Sequence, residues 1–314
     1  MSIAFLFPGQ GAQTPGFLHH LLTAYPDVAG HLALSSRCLG LDVMSLDSEA
    51  ALQSTIAVQV STVVASTAMA GFCQARGIEP QAVAGLSVGA FAAAVVAGAL
   101  AYEDMLPLVR LRASLMEQAY PRGYGLAAVV GLTRRQVSAL VDAVSCDASP
   151  VYLANLNAPT QFVLAGANAA LDEVLGLARK EGARKAERMA VSVPSHCPLL
   201  TSVGDALAEA IAAIAIKTPN IPYVSNRGGR LLRDAEAIRD DLARNVMYPV
   251  LWHDANTVLY ETGTRLYLEM PPGHTLTGLI TAAFDDIRAL ALQESRFDTV
   301  AVLAAREKAA DYLG

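Results

Sequence analysis

The chain has 314 residues, of which 53% are hydrophobic and 17% are charged, and its formal net charge at pH 7 is -6. This length and apolar content are typical of a globular protein with a sizeable core, and the acidic balance argues against a nucleic-acid partner, which needs a basic face. The longest nearly unbroken apolar run, 90–101, is shorter than the roughly 20 residues of a membrane span, so we expect no membrane partner.

The N-terminus and the cysteines indicate where the protein works. The apolar residues 3–7 follow the first methionine with no basic region before them and no cleavage site behind them, which predicts a cytoplasmic location. Cys38, Cys73, Cys146 and Cys197 are widely spaced and form no C-x-x-C pair. We therefore expect reduced thiols in apolar surroundings and no metal site or cofactor.

The first part of the chain alternates short apolar strands with helices, which is the pattern of a parallel sheet covered on both faces. Strands are predicted at 3–7 and 82–85, and a helix of residues 54–74 lies between them. Gly77 follows that helix as a stop signal. A further helix begins at Val88 and is apolar on all sides, which indicates a buried position.

From Gly123 the order of elements changes to strand, helix, strand, strand, helix, strand. The predicted ranges are 125–132, 133–144, 151–155, 161–165, 169–180 and 184–191. This order is that of the ferredoxin-like unit. After Pro194 the alternation resumes, with strands at 222–225 and 265–269, helices around 199–214 and 235–245, and a final helix. We expect an α/β core of residues 1–122 and 195–314 and an inserted ferredoxin-like subdomain of residues 123–194.

A candidate nucleophile follows the second predicted strand, in Gly85-Leu86-Ser87-Val88-Gly89. A nucleophile elbow needs a strand that ends at the serine, glycines on both sides of a tight turn, and a helix directly after it. The Val88 amide would then be free to stabilise an oxyanion, and the glycine-rich loop after residue 7 offers the Gln10 amide as a second donor. The alternative is a plain turn packed against a buried helix.

Arg112 is the one charged residue on an apolar helix stripe. On a helix beginning near Asp104, the stripe consists of Met105, Leu108, Val109, Arg112, Leu115 and Met116, whereas Arg110 points away from it. No acidic residue shares this face, so a substrate carboxylate suits the bidentate guanidinium. The alternative partner is a set of protein carbonyls or a distant Asp or Glu.

A serine nucleophile needs a base, and the chain has six histidines. Three lie in a polar N-terminal segment that suits the surface, and His253 follows Trp252 on a predicted helix. His196 and His274 both lie in loops at strand ends, where catalytic groups are common. Spacing does not choose between these two, and no Asp or Glu is identified as an orienting third member.

Taken together, these motifs resemble the malonyl-CoA:acyl carrier protein transacylase family over nearly the whole chain. The residues that carry the resemblance are Phe7-Pro8-Gly9-Gln10-Gly11, Gly85-x-Ser87-x-Gly89, Arg112, Ala154-Asn155-Leu156-Asn157 and Val191-Ser192-Val193-Pro194-Ser195-His196. The resemblance implies an α/β-hydrolase-like core with a parallel sheet and an inserted ferredoxin-like subdomain. It also implies that malonyl-CoA acylates a serine and that the thiol of a carrier protein then takes the malonyl group.

The resemblance assigns a role to each candidate residue. It implies that Ser87 is the nucleophile, that His196 is its general base and acid, and that Arg112 grips the malonyl carboxylate. The oxyanion donors would be the backbone amides of Val88 and Gln10. In this family a main-chain carbonyl near a Pro-Val-x-Trp segment, here 249–252, orients the histidine, so no acidic residue is needed.

Two departures point to a branch of the family. Members of fatty-acid synthesis read G-H-S-x-G-E, whereas Leu86 and Ala90 occupy the histidine and glutamate positions here. Together with 124–128 and 269–274, these residues look most like the transacylase (epsilon) subunit of malonate decarboxylase. That likeness implies an acyl carrier subunit with a phosphopantetheine-type arm, a modified dephospho-CoA, and other decarboxylase subunits as partners. The alternative is a housekeeping malonyl transacylase of fatty-acid synthesis.

Two further questions remain open at this stage. The basic cluster of residues 179–188 is either a docking surface for an acidic carrier protein or a solvated surface. A serine esterase would share the elbow, but it would need an acidic triad member and would gain nothing from Arg112. A non-catalytic scaffold would keep the fold without a reactive Ser87.

Overall fold

A computed structural model describes residues 3–120 and 122–311. The strands are β1 (Ile3–Phe7), β2 (Ala82–Gly85), β3 (Tyr124–Val130), β4 (Val151–Ala158), β5 (Gln161–Ala167), β6 (Lys185–Arg188), β7 (Tyr223–Val224), β8 (Leu231–Leu232), β9 (Leu266–Glu269) and β10 (Arg288–Ala291). The α-helices are α1 (Phe17–Ala24), α2 (Ala29–Leu39), α3 (Thr55–Gln74), α4 (Gly89–Val96), α5 (Tyr102–Ala119), α6 (Arg134–Val144), α7 (Asn168–Lys180), α8 (Thr201–Ala212), α9 (Ala235–Arg244), α10 (Trp252–Glu261), α11 (Thr275–Thr281) and α12 (Phe297–Asp311).

The larger sheet has six strands in the order β10-β9-β1-β2-β7-β8. All neighbours are parallel except β7 and β8, which are antiparallel, so the predicted parallel sheet ends in one antiparallel edge strand. Strands β1 and β2 are buried along their whole length, as expected where helices cover both faces. Because Phe7 is paired with Gly85, the loops that follow these two strands meet at the same edge.

The smaller sheet has four antiparallel strands in the order β4-β5-β3-β6. Its elements follow one another in the predicted order, although β6 is shorter than the predicted strand 184–191. The smaller sheet and its helices have their own hydrophobic cluster, which includes Val129, Phe162 and Leu171. The mixed α/β fold with a parallel sheet and a second sheet is therefore confirmed. The boundaries at residues 123 and 194 and the ferredoxin-like assignment stay predictions.

The two sheets are joined by backbone hydrogen bonds beside the site. The Leu156 amide donates to the Val250 carbonyl at 2.8 Å, and the Val250 amide donates to the Ala154 carbonyl at 2.9 Å. These bonds fix β4 against the segment that precedes α10. As a result, Asn155 and Asn157 face the same cavity as the loops of the larger sheet.

Helices α3, α4 and α5 pack as the apolar centre of the larger unit. α3 is long and apolar enough to cross a membrane, with a mean hydropathy of 1.6, but 83% of that window is buried in the fold, as in a core helix. The sequence analysis did not predict α1, α2, α11, β8 or β10. All of these except α2 have eight residues or fewer, so they carry only one or two periods of the pattern that identifies such an element.

Candidate active site

Ser87 lies on a sharp turn between β2 and α4. Its backbone φ is 56°, a left-handed conformation that residues other than glycine rarely adopt. A Cβ on Gly89 would lie 2.2 Å from the Phe7 carbonyl oxygen, and a Cβ on Gly85 would lie 2.1 Å from the Gly89 carbonyl carbon. Both glycines are therefore required for close backbone approach, and the predicted elbow geometry is present.

His196 is the histidine that contacts Ser87. Its Nε2 lies 2.7 Å from the Ser87 Oγ, and its Nδ1 lies 2.8 Å from the main-chain oxygen of Asn245. A carbonyl oxygen only accepts, so Nδ1 carries the proton in the neutral ring and Nε2 accepts from the serine hydroxyl. The orienting carbonyl belongs to Asn245, four residues before the 249–252 segment that the resemblance indicated.

The environment of His196 keeps its ring neutral. The side chain is 2% exposed, and burial, followed by the positive charge of Arg112, lowers its pKa from 6.5 to about 4. Hydrogen bonds to the carbonyls of Asn245 and Tyr248 oppose this shift. A neutral imidazole is the form that accepts a proton, so near neutral pH His196 is ready to act as a base.

Arg112 is completely buried beside Ser87. Its Nη2 donates to the Ser87 Oγ at 3.1 Å, and its Nη1 donates to the Gln59 Oε1 at 2.6 Å. Burial alone lowers its pKa from 12.5 to about 9, because no carboxylate in the described residues pairs with it. Its Nε also lacks a hydrogen-bond partner among them. A desolvated guanidinium without an anion is costly to the protein, so the site is built to receive one.

Gln59 was missed by the sequence analysis. It lies on α3, is 1% exposed, and uses its side-chain oxygen for Arg112 and its nitrogen to donate to the Gln10 Oε1 at 3.1 Å. The side-chain amide of Gln59 therefore holds the Arg112 guanidinium in place but, being neutral, does not compensate its charge. The sequence signal of Gln59 is weak, because α3 also contains Ser61, Thr62, Ser66 and Thr67.

The two predicted oxyanion donors lie in the loops after β1 and β2. Gln10 lines the cavity beside Ser87, and Val88 is the N-cap of α4 and is fully buried. The hydrogen bonds of the described residues engage neither backbone amide. Free amides at a helix N-terminus and in a glycine-rich loop are the groups that hold an oxyanion.

Asn226 is a second residue that the sequence analysis missed. It follows β7, is 2% exposed, and accepts from the Ser87 amide at 2.8 Å while its own nitrogen donates to the Gly85 carbonyl at 2.7 Å. The loop of residues 225–229 has the composition of a turn, which gave no reason to connect it with Ser87.

A cavity of about 180 Å³ leads to Ser87 and His196. Backbone and side chains of 8–12 form one wall, the amides of Asn155 and Asn157 contribute polar groups, and the apolar lining consists of Leu86, Leu126, Val163, Met189, Leu276 and Leu279. A cavity with a mainly apolar lining and a few polar groups is typical of a small-molecule site.

The structure does not bring His274 to the site, since its Nδ1 pairs with the exposed Glu294 at 2.6 Å. Arg110 is exposed, as predicted.

Cys38 and Cys146 are exposed, which corrects the expectation that all four cysteines lie in apolar surroundings. Cys73 and Cys197 do so, and burial raises the pKa of each to about 12, so these two thiols are unreactive.

The basic cluster of residues 179–188 is partly engaged within the protein. Arg179 donates to the Ala186 carbonyl at 2.6 Å, and Arg188 donates to the Asn168 carbonyl at 3.1 Å. Lys185 pairs with Glu187 at 2.8 Å. Lys180 is exposed. Arg184 is exposed as well, so Lys180, Arg184 and Lys185 are the part of the cluster that is open to a partner.

Three kinds of comparison with known proteins found similar chains. The model of the acyl transferase domain family matches residues 4–308. The chain is 34% identical to the malonyl CoA-acyl carrier protein transacylase of Escherichia coli K12 over 296 residues, which covers 93% of this chain and 96% of that one. The structure of the same enzyme from Coxiella burnetii matches at 34% identity and a TM-score of 0.89, covering 93% and 94% of the two chains. A malonyl-transacylase in complex with its type II PKS acyl-carrier protein also matches at 34% identity and a TM-score of 0.89, covering 94% and 97%.

Proposed function

Since this chain belongs to the acyl transferase domain family and is an acyltransferase, we propose that it moves a malonyl group from malonyl-CoA to the thiol of an acyl carrier protein. The observation that carries the proposal is the buried guanidinium of Arg112, which lies 3.1 Å from the Ser87 Oγ and has no anionic partner among the described residues. A malonyl group on Ser87 brings a carboxylate within reach of this guanidinium, whereas an acetyl group brings none. The cytoplasmic location stays part of the same proposal.

The first half-reaction acylates the serine. The Ser87 hydroxyl gives its proton to the His196 Nε2 as its oxygen attacks the thioester carbonyl of malonyl-CoA. The amides of Gln10 and Val88 hold the negative oxygen of the tetrahedral intermediate. When the intermediate collapses, the carbon–sulfur bond breaks, and His196 returns the proton to the leaving CoA sulfur. The products are malonyl-Ser87 and free CoA.

The second half-reaction runs the same steps with a different thiol. The carrier thiol gives its proton to His196 and attacks the malonyl-Ser87 ester, and the collapse of the second tetrahedral intermediate returns that proton to the Ser87 oxygen. The malonyl thioester then leaves on the carrier. The apolar lining around Leu126 and Leu279 limits access of water, which favours transfer over hydrolysis.

Intact-mass measurement after incubation with malonyl-CoA tests this function. We expect one malonyl adduct, mapped by peptide digestion to Ser87, which disappears when a carrier protein is added. A serine esterase would turn the substrate over without a lasting adduct, and a scaffold would not react. Either of these two results would contradict the proposal. Ser87→Ala should give no adduct, and Ser45→Ala is its control, since Ser45 lies in an exposed turn where its hydroxyl donates to the Asp42 carbonyl.

The named relatives fit a housekeeping malonyl transacylase better than a malonate decarboxylase subunit, so we propose the former as the main placement. The decarboxylase alternative rests on Leu86, which lines the cavity, and on Ala90, which is fully buried. The two placements differ in the arm of the carrier. We expect faster transfer to a phosphopantetheine carrier than to one with a modified dephospho-CoA arm, and the reverse order would favour the decarboxylase.

Lys180 and Lys185 are the candidates for steering an acidic carrier protein. Both side chains are exposed, and Lys185 keeps one surface ion pair with Glu187, which is weak in water. Electrostatic steering acts on the association rate and falls with salt. The proposal is therefore that these lysines affect the second half-reaction rather than the chemistry at Ser87.

A further inference from the structure

The backbone of the Ser87 turn is strained, and one buried side chain holds it. Ser87 has a positive φ of 56°, and such a conformation costs free energy and persists only where the surroundings impose it. The glycines on either side permit the turn but supply no force that holds it. The contacts made by the backbone of residues 85–87 therefore matter for the position of the nucleophile.

Asn226 makes two of these contacts with one amide group. Its Oδ1 accepts from the Ser87 N–H at 2.8 Å and its Nδ2 donates to the Gly85 carbonyl at 2.7 Å. The register of β2 and β7 pairs Ala84 with Val224, the last residue of β7. The side-chain amide thus takes the place of the next peptide group of β7 and continues the pairing past the end of the strand.

Asn226 is itself fixed from two directions. Its main-chain carbonyl accepts a hydrogen bond from the main-chain amide of Leu251 at 2.9 Å. Asp241, which is 3% exposed, accepts from the Arg227 amide at 3.2 Å and from the Tyr223 hydroxyl at 2.7 Å. These bonds fix the residues on both sides of Asn226. Its side-chain amide is therefore held in place against the Ser87 turn.

We propose that Asn226 is a positioning residue that holds Ser87 in its reactive conformation. Without it, two buried backbone groups lose their partners, and the turn relaxes away from its positive φ. The Ser87 Oγ then moves relative to both the His196 Nε2 and the oxyanion donors. A displacement of about 1 Å is enough to lower a rate about 10²-fold. The proposal rests on the proposed function only in taking Ser87 as the nucleophile.

The test compares Asn226→Ala with Asn256→Ala. Asn256 lies on α10, is also 2% exposed, and has a side-chain oxygen without a hydrogen-bond partner among the described residues, so it controls for the loss of a buried amide. The probe is a neutral fluorophosphonate, which reports the reactivity of Ser87 without any malonyl group. We expect Asn226→Ala to label about 10²-fold more slowly than wild type and Asn256→Ala to label within about threefold of it.

A second variant keeps the test decisive if Asn226→Ala does not fold. Asn226→Asp keeps the shape and the acceptor for the Ser87 amide but cannot donate to the Gly85 carbonyl, and Asn256→Asp is its control. We expect slower labelling and a lower kcat with malonyl-CoA at an unchanged KM, since Asn245 still orients the His196 ring.

The outcomes separate the two proposals. Labelling of both Asn226 variants at the rate of their Asn256 controls would overturn the positioning role, whatever the malonyl activity. Labelling of the wild type by the probe, without any malonyl adduct, would instead contradict the proposed function. The positioning role would in that case still be supported by slow labelling of the Asn226 variants.

Discussion

Replacing Arg112 by alanine should abolish the preference for a malonyl group. The side chain is fully buried, and its pKa falls from 12.5 to about 9 through desolvation. Since a difference of one in pKa corresponds to about 1.4 kcal/mol, burial destabilises the charged guanidinium by about 5 kcal/mol in the protein without substrate. A malonyl carboxylate recovers much of that cost when it pairs with the guanidinium, and an acetyl group recovers none.

The magnitude follows from the loss of one partner of a buried pair. Such a loss costs about 3–5 kcal/mol, and at about 1.4 kcal/mol for each factor of ten it lowers kcat/KM for malonyl-CoA by about two to three and a half orders of magnitude. For acetyl-CoA the substitution removes the hydrogen bonds from Arg112 to the Ser87 Oγ and to Gln59, but no ion pair with the acyl group. We expect a change of at most about tenfold there.

The assay measures CoA release with malonyl-CoA and acetyl-CoA side by side. Arg110→Ala is the matched control, because Arg110 lies on the same helix and is exposed. We expect the control to keep the selectivity of the wild type. Thermal unfolding of both variants checks that the fold persists. Equal malonyl-to-acetyl selectivity in wild type and Arg112→Ala would refute the reasoning.

Three other predictions use the same assays. His196→Ala should slow malonyl-Ser87 formation about 10²- to 10⁴-fold, measured by intact mass over time, and an unchanged rate would exclude His196 as the base. Because the ring is neutral above a pKa of about 4, Ser87 labelling should rise through pH 4 and stay level to pH 7, and Arg112→Ala should move that midpoint upward; a midpoint near 6.5 in the wild type would contradict the burial argument. Replacing Lys180 and Lys185 by glutamate should slow transfer to carrier protein roughly tenfold at low salt, more than it slows acylation by malonyl-CoA, and equal effects on both half-reactions would rule out docking there.

The pKa of His196 also has a consequence for stability. Its pKa is lower in the folded protein than the usual 6.5, so folding favours the neutral ring. Its contribution to stability is complete above about pH 6.5 and is lost as the pH falls from there through about 4. Acid unfolding followed by circular dichroism should therefore show a shallower decline in His196→Ala over that range.

Local patterns in the sequence predicted a large part of the site. At Gly85 and Gly89 the neighbouring backbone comes too close for any Cβ. The two glycines in the sequence therefore indicated the tight turn at Ser87. The apolar stripe on α5 likewise placed Arg112 in the core, because helical periodicity decides which face a residue occupies. Five of the six residues of that stripe are buried and Leu115 is half-buried.

Spacing and periodicity did not identify the partners of these residues, and only the family resemblance pointed to His196. His196 and His274 lie in similar loops, and only packing brings the first within 2.7 Å of a serine that is 109 residues away in the chain. Arg112 was left with several candidate partners, and the tertiary structure pairs it with Gln59, 53 residues earlier. Asn226 reaches Ser87 across 139 residues, from a loop with no distinctive pattern.

The sequence by itself determined the types of the main elements, the glycine-flanked turn at Ser87 and the burial of Arg112, because each depends on neighbours within a few residues of the chain. Local pattern did not choose between His196 and His274, and only the family resemblance pointed to His196. The tertiary structure placed His196 against Ser87, and it alone decided that Asn245 supplies the orienting carbonyl and that Asn226 contacts the turn. These pairings arise where two sheets and their loops meet, and periodicity along the chain carries no information about which distant loops will lie side by side.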